Sequence, residues 1–218
     1  MIENIYYPLS ALYRQLTIDP GGGGKNSDES AIVVTAWAAN IGHAFVLDIW
    51  HDRVTTENLI EKIFELAGKW DVHTVRPERA AMQKTIEDWF VDQMRVRNVH
   101  YVIDPALHKR RGKGERIDAL QPYIANHQVS FRADQQDIIK EATNLIISDG
   151  KIMGRNSPNM MDALAYHIDR WNSNPFTSTS DIDGIRYIED EEEDIEFKVR
   201  YGLECQTRSR RMIGRMAL

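Results

Sequence analysis

Apolar residues recur along this chain in two rhythms. Short runs rich in branched and aromatic side chains come first: Leu16-Thr17-Ile18, then Ile32-Val33-Val34 up to Trp37, then Phe45-Val46-Leu47 up to Ile49. Such runs predict strands at 15–19, 30–38 and 44–50, and the short link Asn40-Ile41-Gly42-His43 makes the last two a hairpin. From 56 to 70 the rhythm becomes helical, with Leu59, Ile60, Ile63, Phe64, Leu66 and Ala67 on one side. A fourth strand is predicted at 72–77, a helix at 79–95 and a fifth strand at 99–103. A helix at 116–125, a short strand at 129–131 and a helix at 135–147 follow. Ser157 as N-cap and Pro158 at the first helical position open a last helix that runs to about Trp171. Hairpin-rich at first and then alternating strand with helix, this order predicts an α/β fold: a mixed sheet with helices on both faces.

Composition narrows the class. The 218 residues are 42% hydrophobic and 28% charged, enough for a full core in one large domain, or in one domain plus a tail. No apolar run approaches the ~18 residues of a membrane span, and Met1-Ile2-Glu3-Asn4-Ile5 lacks the basic start of a signal peptide. The single cysteine, Cys205, excludes an internal disulfide and a cysteine-built zinc site. A net charge of -6 argues at first against a nucleic-acid partner. Yet 189–194 reads Glu-Asp-Glu-Glu-Glu-Asp, and removing those six charges leaves -6 + 6 = 0. Basic residues then cluster at Lys109-Arg110-Arg111-Gly112-Lys113 with Arg116, and at Arg208, Arg210, Arg211 and Arg215. Local patches of this kind matter more for phosphate binding than the total does.

Three acids stand where elements begin or end. Asp19 closes Leu16-Thr17-Ile18-Asp19, Glu78 ends Val75-Arg76-Pro77-Glu78, and Asp162 lies early in the last helix. Singly, each has an ordinary reading as a turn former, a first-turn helix acid or a solvated helix residue. Brought together from distant elements, they make an oxygen-rich site suited to Mg²⁺ or Mn²⁺ and to phosphoryl-transfer chemistry. A P-loop reading of Gly21 to Lys25 fails, because Asp19 stands at the first glycine position and Asn26 replaces Ser/Thr. His108, beside the basic loop, reads as a surface histidine.

These motifs resemble those of the large terminase nuclease domain of tailed phages, within the ribonuclease H-like nucleases. The carriers are Asp19-Pro20-Gly21-Gly22-Gly23-Gly24-Lys25, Val75-Arg76-Pro77-Glu78-Arg79, Lys113-Gly114-Glu115-Arg116-Ile117-Asp118-Ala119-Leu120 and Pro158-Asn159-Met160-Met161-Asp162-Ala163-Leu164. One departure is that Asn159-Met160 stand near a place where the family often has a further Asp.

The resemblance implies a five-stranded ribonuclease H-like sheet, three strands antiparallel and then parallel ones. It implies a lead-in at 1–14, carrying Tyr6, Tyr7 and Tyr13, from a missing motor domain. The nuclease domain would span 15–171 and a C-terminal extension 172–218. The implied activity is endonucleolytic cutting of concatemeric viral DNA in the host cytoplasm, with two Mg²⁺ or Mn²⁺ ions. Asp19 would bridge the ions, Glu78 and Asp162 would each hold one, and Asp28 would be an auxiliary ligand. Lys109, Arg110, Arg111, Lys113 and Arg116 would contact phosphates of double-stranded DNA. The small terminase subunit and portal protein would be partners in the full motor, with the isolated domain monomeric and no membrane involved. Competing expectations are a junction resolvase or transposase core, and a non-catalytic DNA-docking module.

Overall fold

Every residue of the strand Ser30–Ala38 is buried, which explains why it carries no polar alternation: it has helices on both sides. The computed structural model describes residues 7–21, 28–78, 84–106, 112–153 and 157–172. In chain order its principal strands are β1 (Tyr13–Asp19), β2 (Ser30–Ala38), β3 (His43–Asp52), β4 (Thr74–Pro77), β5 (Val102–Ile103) and β6 (Val129–Ser130). They form one six-stranded sheet in the order β5-β4-β1-β2-β3-β6. The first three are antiparallel neighbours, while β4 joins β1, β5 joins β4 and β6 joins β3 in parallel. The expected mixed sheet is thus present with one strand more, because the run at 129–131 pairs with the free edge of β3.

The sheet divides the core in two. Ile32, Val34 and Ala36 face a layer built by α1 (Thr56–Lys69) and α2 (Lys84–Val96), where Phe64 stacks on Phe90. Thr55 caps α1 by accepting from the Asn58 N–H, with Glu57 in its first turn and Lys69 in its last, as the helix dipole favours. Ala31, Val33 and Trp37 face the other layer. That layer holds α3 (Lys113–Asp118), α4 (Gln121–Ala125), α5 (Gln136–Asn144), α6 (Asn159–Ala165) and α7 (Ile168–Asn172). This second layer carries the candidate site.

The structure corrects several expected boundaries. The first strand begins at Tyr13 rather than 15, and Tyr7 and Leu12 are buried in the core. The helix expected at 116–125 starts earlier and splits into α3 and α4, since Pro122 in the first turn of α4 cannot continue the α3 ladder. The helix expected at 135–147 stops at Asn144. Ile146–Ser148 (β7) and Lys151–Met153 (β8) instead form a hairpin around Asp149 and Gly150, at φ 51° and 71°. Two successive left-handed residues with an Asp-Gly pair are the signature of a tight hairpin turn. The last helix starts at Asn159, with Pro158 in the cap position, and breaks at Tyr166-His167 into α6 and α7. Lys109-Arg110-Arg111, His108, the acidic run at 189–194, Cys205 and the C-terminal arginines lie outside the described residues. Among the described residues no helix is long and apolar enough to cross a membrane.

Candidate active site

Because β1 and β4 run parallel side by side, their C-terminal ends deliver Asp19 and Glu78 to the same edge. The Glu78 N–H donates to the Ile18 carbonyl at 3.2 Å, extending the Ile18–Pro77 pairing by one residue. Helix α6 crosses over β1 and β2 and is fastened there by Thr17, whose hydroxyl donates to the Ala163 carbonyl at 2.7 Å. This brings in Asp162, 1% exposed, from the far end of the described chain.

Two cations meet the acids. The Lys113 ammonium donates to Asp19 Oδ2 at 3.0 Å, Asn159 Oδ1 at 2.7 Å and Ser157 Oγ at 3.1 Å, with Asp162 Oδ2 at 3.4 Å. The Arg116 guanidinium holds Asp162 bidentately, Nε to Oδ1 at 2.9 Å and Nη2 to Oδ2 at 2.7 Å, and lies over the Tyr166 ring. The planar fork fixes the orientation of the carboxylate. Both side chains were expected to meet DNA phosphates. In this structure their charges are turned onto Asp19 and Asp162.

Burial pushes the Asp19 carboxyl up to about 6. The Lys113 charge opposes that rise, while the like charges of Asp162 and Glu78 add to it. The Tyr166 hydroxyl, beside Asp162, is driven upward by burial and then by the charges of Asp162, Asp19 and Glu78. The three predicted acids therefore share one electrostatic site. Asp28 is exposed and lines the adjoining cleft of about 570 Å³, together with Glu29, Glu141, Ser157 and Asn159. Gly21, just past Asp19, packs so closely that a Cβ there would lie 2.0 Å from the Asp28 carbonyl oxygen, so the backbone after Asp19 needs glycine at that point.

Three supporting groups escaped the sequence reading. Pro158 offers α6 no side-chain cap, and Glu141 of α5 supplies one by accepting from the Met161 N–H at 2.7 Å. Its carboxyl is raised to about 7 by burial, with the Met161 N–H opposing. Glu141→Ala is expected to lower stability by about 1 kcal/mol in denaturant melts, with Glu141→Gln losing less because it keeps an acceptor. His167, fully buried, is held neutral by burial. The Thr17 hydroxyl donates to the Ala163 carbonyl, so His167 Nε2–H donates to Thr17 Oγ1 and the Val33 carbonyl while Nδ1 accepts from Thr35. Arg76, 2% exposed on β4, donates to the Tyr166 carbonyl and to Asp104, which also binds Arg170. His167 and Arg76 lock the turn between α6 and α7 onto the sheet, Glu141 holds the start of α6, and together they fix Asp162.

Among the described residues no group of three or more His, Cys, Asp or Glu side chains is arranged to hold a metal ion. The donor chemistry nevertheless fits one. Carboxylates of Asp19 and Asp162, the Ser157 hydroxyl and the Asn159 amide oxygen already surround a cation, the Lys113 ammonium, which stands in for a hard ion.

Residues 18–129 match the family described as the ribonuclease H-like domain of the bacteriophage T7 terminase. The P22 large terminase nuclease domain superposes with a TM-score of 0.55 at 13% identity, covering 74% of this chain and 83% of that one. The large terminase nuclease domain of bacteriophage SPP1, solved with bound Mn, scores 0.43 at 14% identity, covering 72% and 85%. The Fowlpox virus resolvase, solved with Holliday junction DNA, scores 0.43 at 12% identity, covering 73% and 95%. No curated protein sequence matches. With the family match covering just over half of the chain, and the P22 domain sharing the fold, the chain belongs to the terminase family as a ribonuclease H-like nuclease domain.

Proposed function

We propose that this domain is a divalent-metal-dependent endonuclease that cuts concatemeric double-stranded viral DNA during genome packaging, with little sequence preference. The observation that carries the reading is that Asp19 of β1 and Asp162 of α6 flank a position already lined with oxygen donors, with Glu78 near enough to act on the ionisation of Asp19. Asp19, whose ionisation is affected by both other acids, would hold both ions, with Glu78 and Asp162 holding one each and Asp28 assisting from the cleft side. When bound, two such ions supply an activated water and stabilise the leaving 3′ oxygen. Arg116 keeps Asp162 aimed into the site, and Glu141, His167 and Arg76 hold its helix in place. Lys109, Arg110 and Arg111 would bind phosphates without reading bases, giving salt-sensitive affinity. In the full motor the domain would work with the small terminase subunit and the portal protein in the host cytoplasm.

Incubating supercoiled plasmid with the protein in Mn²⁺, Mg²⁺ or EDTA tests the reading. Nicked and linear products in either metal, absent in EDTA, are expected. No product from a folded protein in both metals would contradict it, and strong preference for four-way junctions over plasmid would move the substrate to branched DNA.

A further inference from the structure

We propose that Lys113 is the resident counter-cation of the acid centre, occupying the metal position until a divalent ion displaces it. The inference rests on the metal-nuclease reading and deepens it. Its ammonium makes contacts of 2.7–3.4 Å with four oxygens, from Asp19, Asn159, Ser157 and Asp162. That is the donor set of a small hard cation, supplied by Asp19 of β1, by Asn159 and Asp162 of α6, and by Ser157 just before that helix. Lys113 and a divalent ion cannot both use Asp19 Oδ2 and Asp162 Oδ2 at contact distance, because like charges held that close in a half-buried site repel strongly.

The placement of Lys113 is built rather than incidental. It is the first residue of α3, whose start is fixed by the Gly112 N–H donating to Glu115 at 3.2 Å. Ile117, fully buried on the same helix, anchors it in the core, and Arg116 clamps it to α6 through Asp162. The Lys113 side chain is 27% exposed, against 11% for Asp19 and 1% for Asp162, so of these three charged groups it has the most open route outward. Asp162 keeps its bidentate Arg116 partner when Lys113 leaves, so the exchange changes one charge and not two. The centre then keeps its shape without metal, and metal loading carries the cost of moving one ammonium.

Competition of this kind has a reciprocal signature: removing Lys113 strengthens metal binding. Mn²⁺ binding is measured without DNA, by calorimetry and electron paramagnetic resonance, for the wild type, Lys113→Met, Asp19→Asn and the distant control Lys62→Met. Lys113→Met is expected to bind Mn²⁺ more tightly by about fivefold or more. Lys62→Met is expected to match the wild type, and Asp19→Asn to lose binding. Melting in EDTA and in Mn²⁺ reports folding independently: Lys113→Met should melt lower than wild type in EDTA and gain more from Mn²⁺. Equal or weaker Mn²⁺ binding by folded Lys113→Met overturns the counter-cation role while leaving the metal site intact. Absence of Mn²⁺ binding in both wild type and Lys113→Met overturns the metal-nuclease reading, and this inference with it.

Discussion

Asp19→Asn is expected to lower metal-dependent DNA cleavage by about 10³-fold or more while making the protein more stable at neutral pH. The activity loss follows from its position, since it is the acid that both Asp162 and Glu78 act upon and that Lys113 bridges to Asp162. The stability gain follows from its ionisation. Its folded pKa is raised from 3.8 to about 6, so between those values the folded state binds the proton more tightly than the unfolded state does. Stability therefore falls as pH rises through that window, and the ionised carboxylate is destabilising above about 6. A neutral asparagine removes part of that cost, an expected gain of about 1–2 kcal/mol at pH 7.5 in EDTA. The difference from wild type should shrink as pH falls toward 4. Thermal melts across pH check the sign, and a less stable Asp19→Asn at pH 7.5 would contradict it.

Asp104→Ala is expected to be the most destabilising of the substitutions considered, by about 3–5 kcal/mol, with a melting temperature lower by roughly 10 °C. Arg76 is buried in the sheet, and its Nε lies 2.9 Å from Asp104 Oδ2. Arg170 shares the same oxygen at 2.7 Å. Losing Asp104 leaves the Arg76 guanidinium inside the core without its contacting carboxylate and with only the weaker influence of Asp169, which costs more than the pair contributes. Asp104→Asn keeps an acceptor and should lose less. Because Arg76 also holds the Tyr166 carbonyl, the alanine variant should weaken cleavage through displacement of α6. A loss under about 1 kcal/mol in denaturant melts would show that Arg76 finds another partner.

The strands and the acids were legible because their signals are local. Valine and isoleucine runs mark β2 and β3, and strand-end positions mark Asp19 and Glu78. What the pattern hid depends on contacts distant in sequence. The helical spacing of Ile138, Ala142 and Leu145 continued into Ile146 and masked the β7–β8 hairpin, although Asp149-Gly150 signals a turn. The break at Tyr166-His167 leaves no composition signal, because it is set by His167 meeting Thr17 and Thr35 across the core. A lysine in a basic run reads as a phosphate contact, and only the fold shows Lys113 turned inward to Asp19. Glu141 caps a helix that begins 18 residues beyond it, from α5, a pairing that no spacing rule reaches.

Anomalous diffraction from crystals soaked in Mn²⁺ tests most directly the claim that these acids form a metal-dependent nuclease centre. The account predicts Mn²⁺ bound at about 2.0–2.4 Å from carboxylate oxygens of Asp19 and Asp162, with the Lys113 ammonium withdrawn from both. Mn²⁺ bound elsewhere, with Lys113 still between Asp19 and Asp162 at saturating metal, would contradict it.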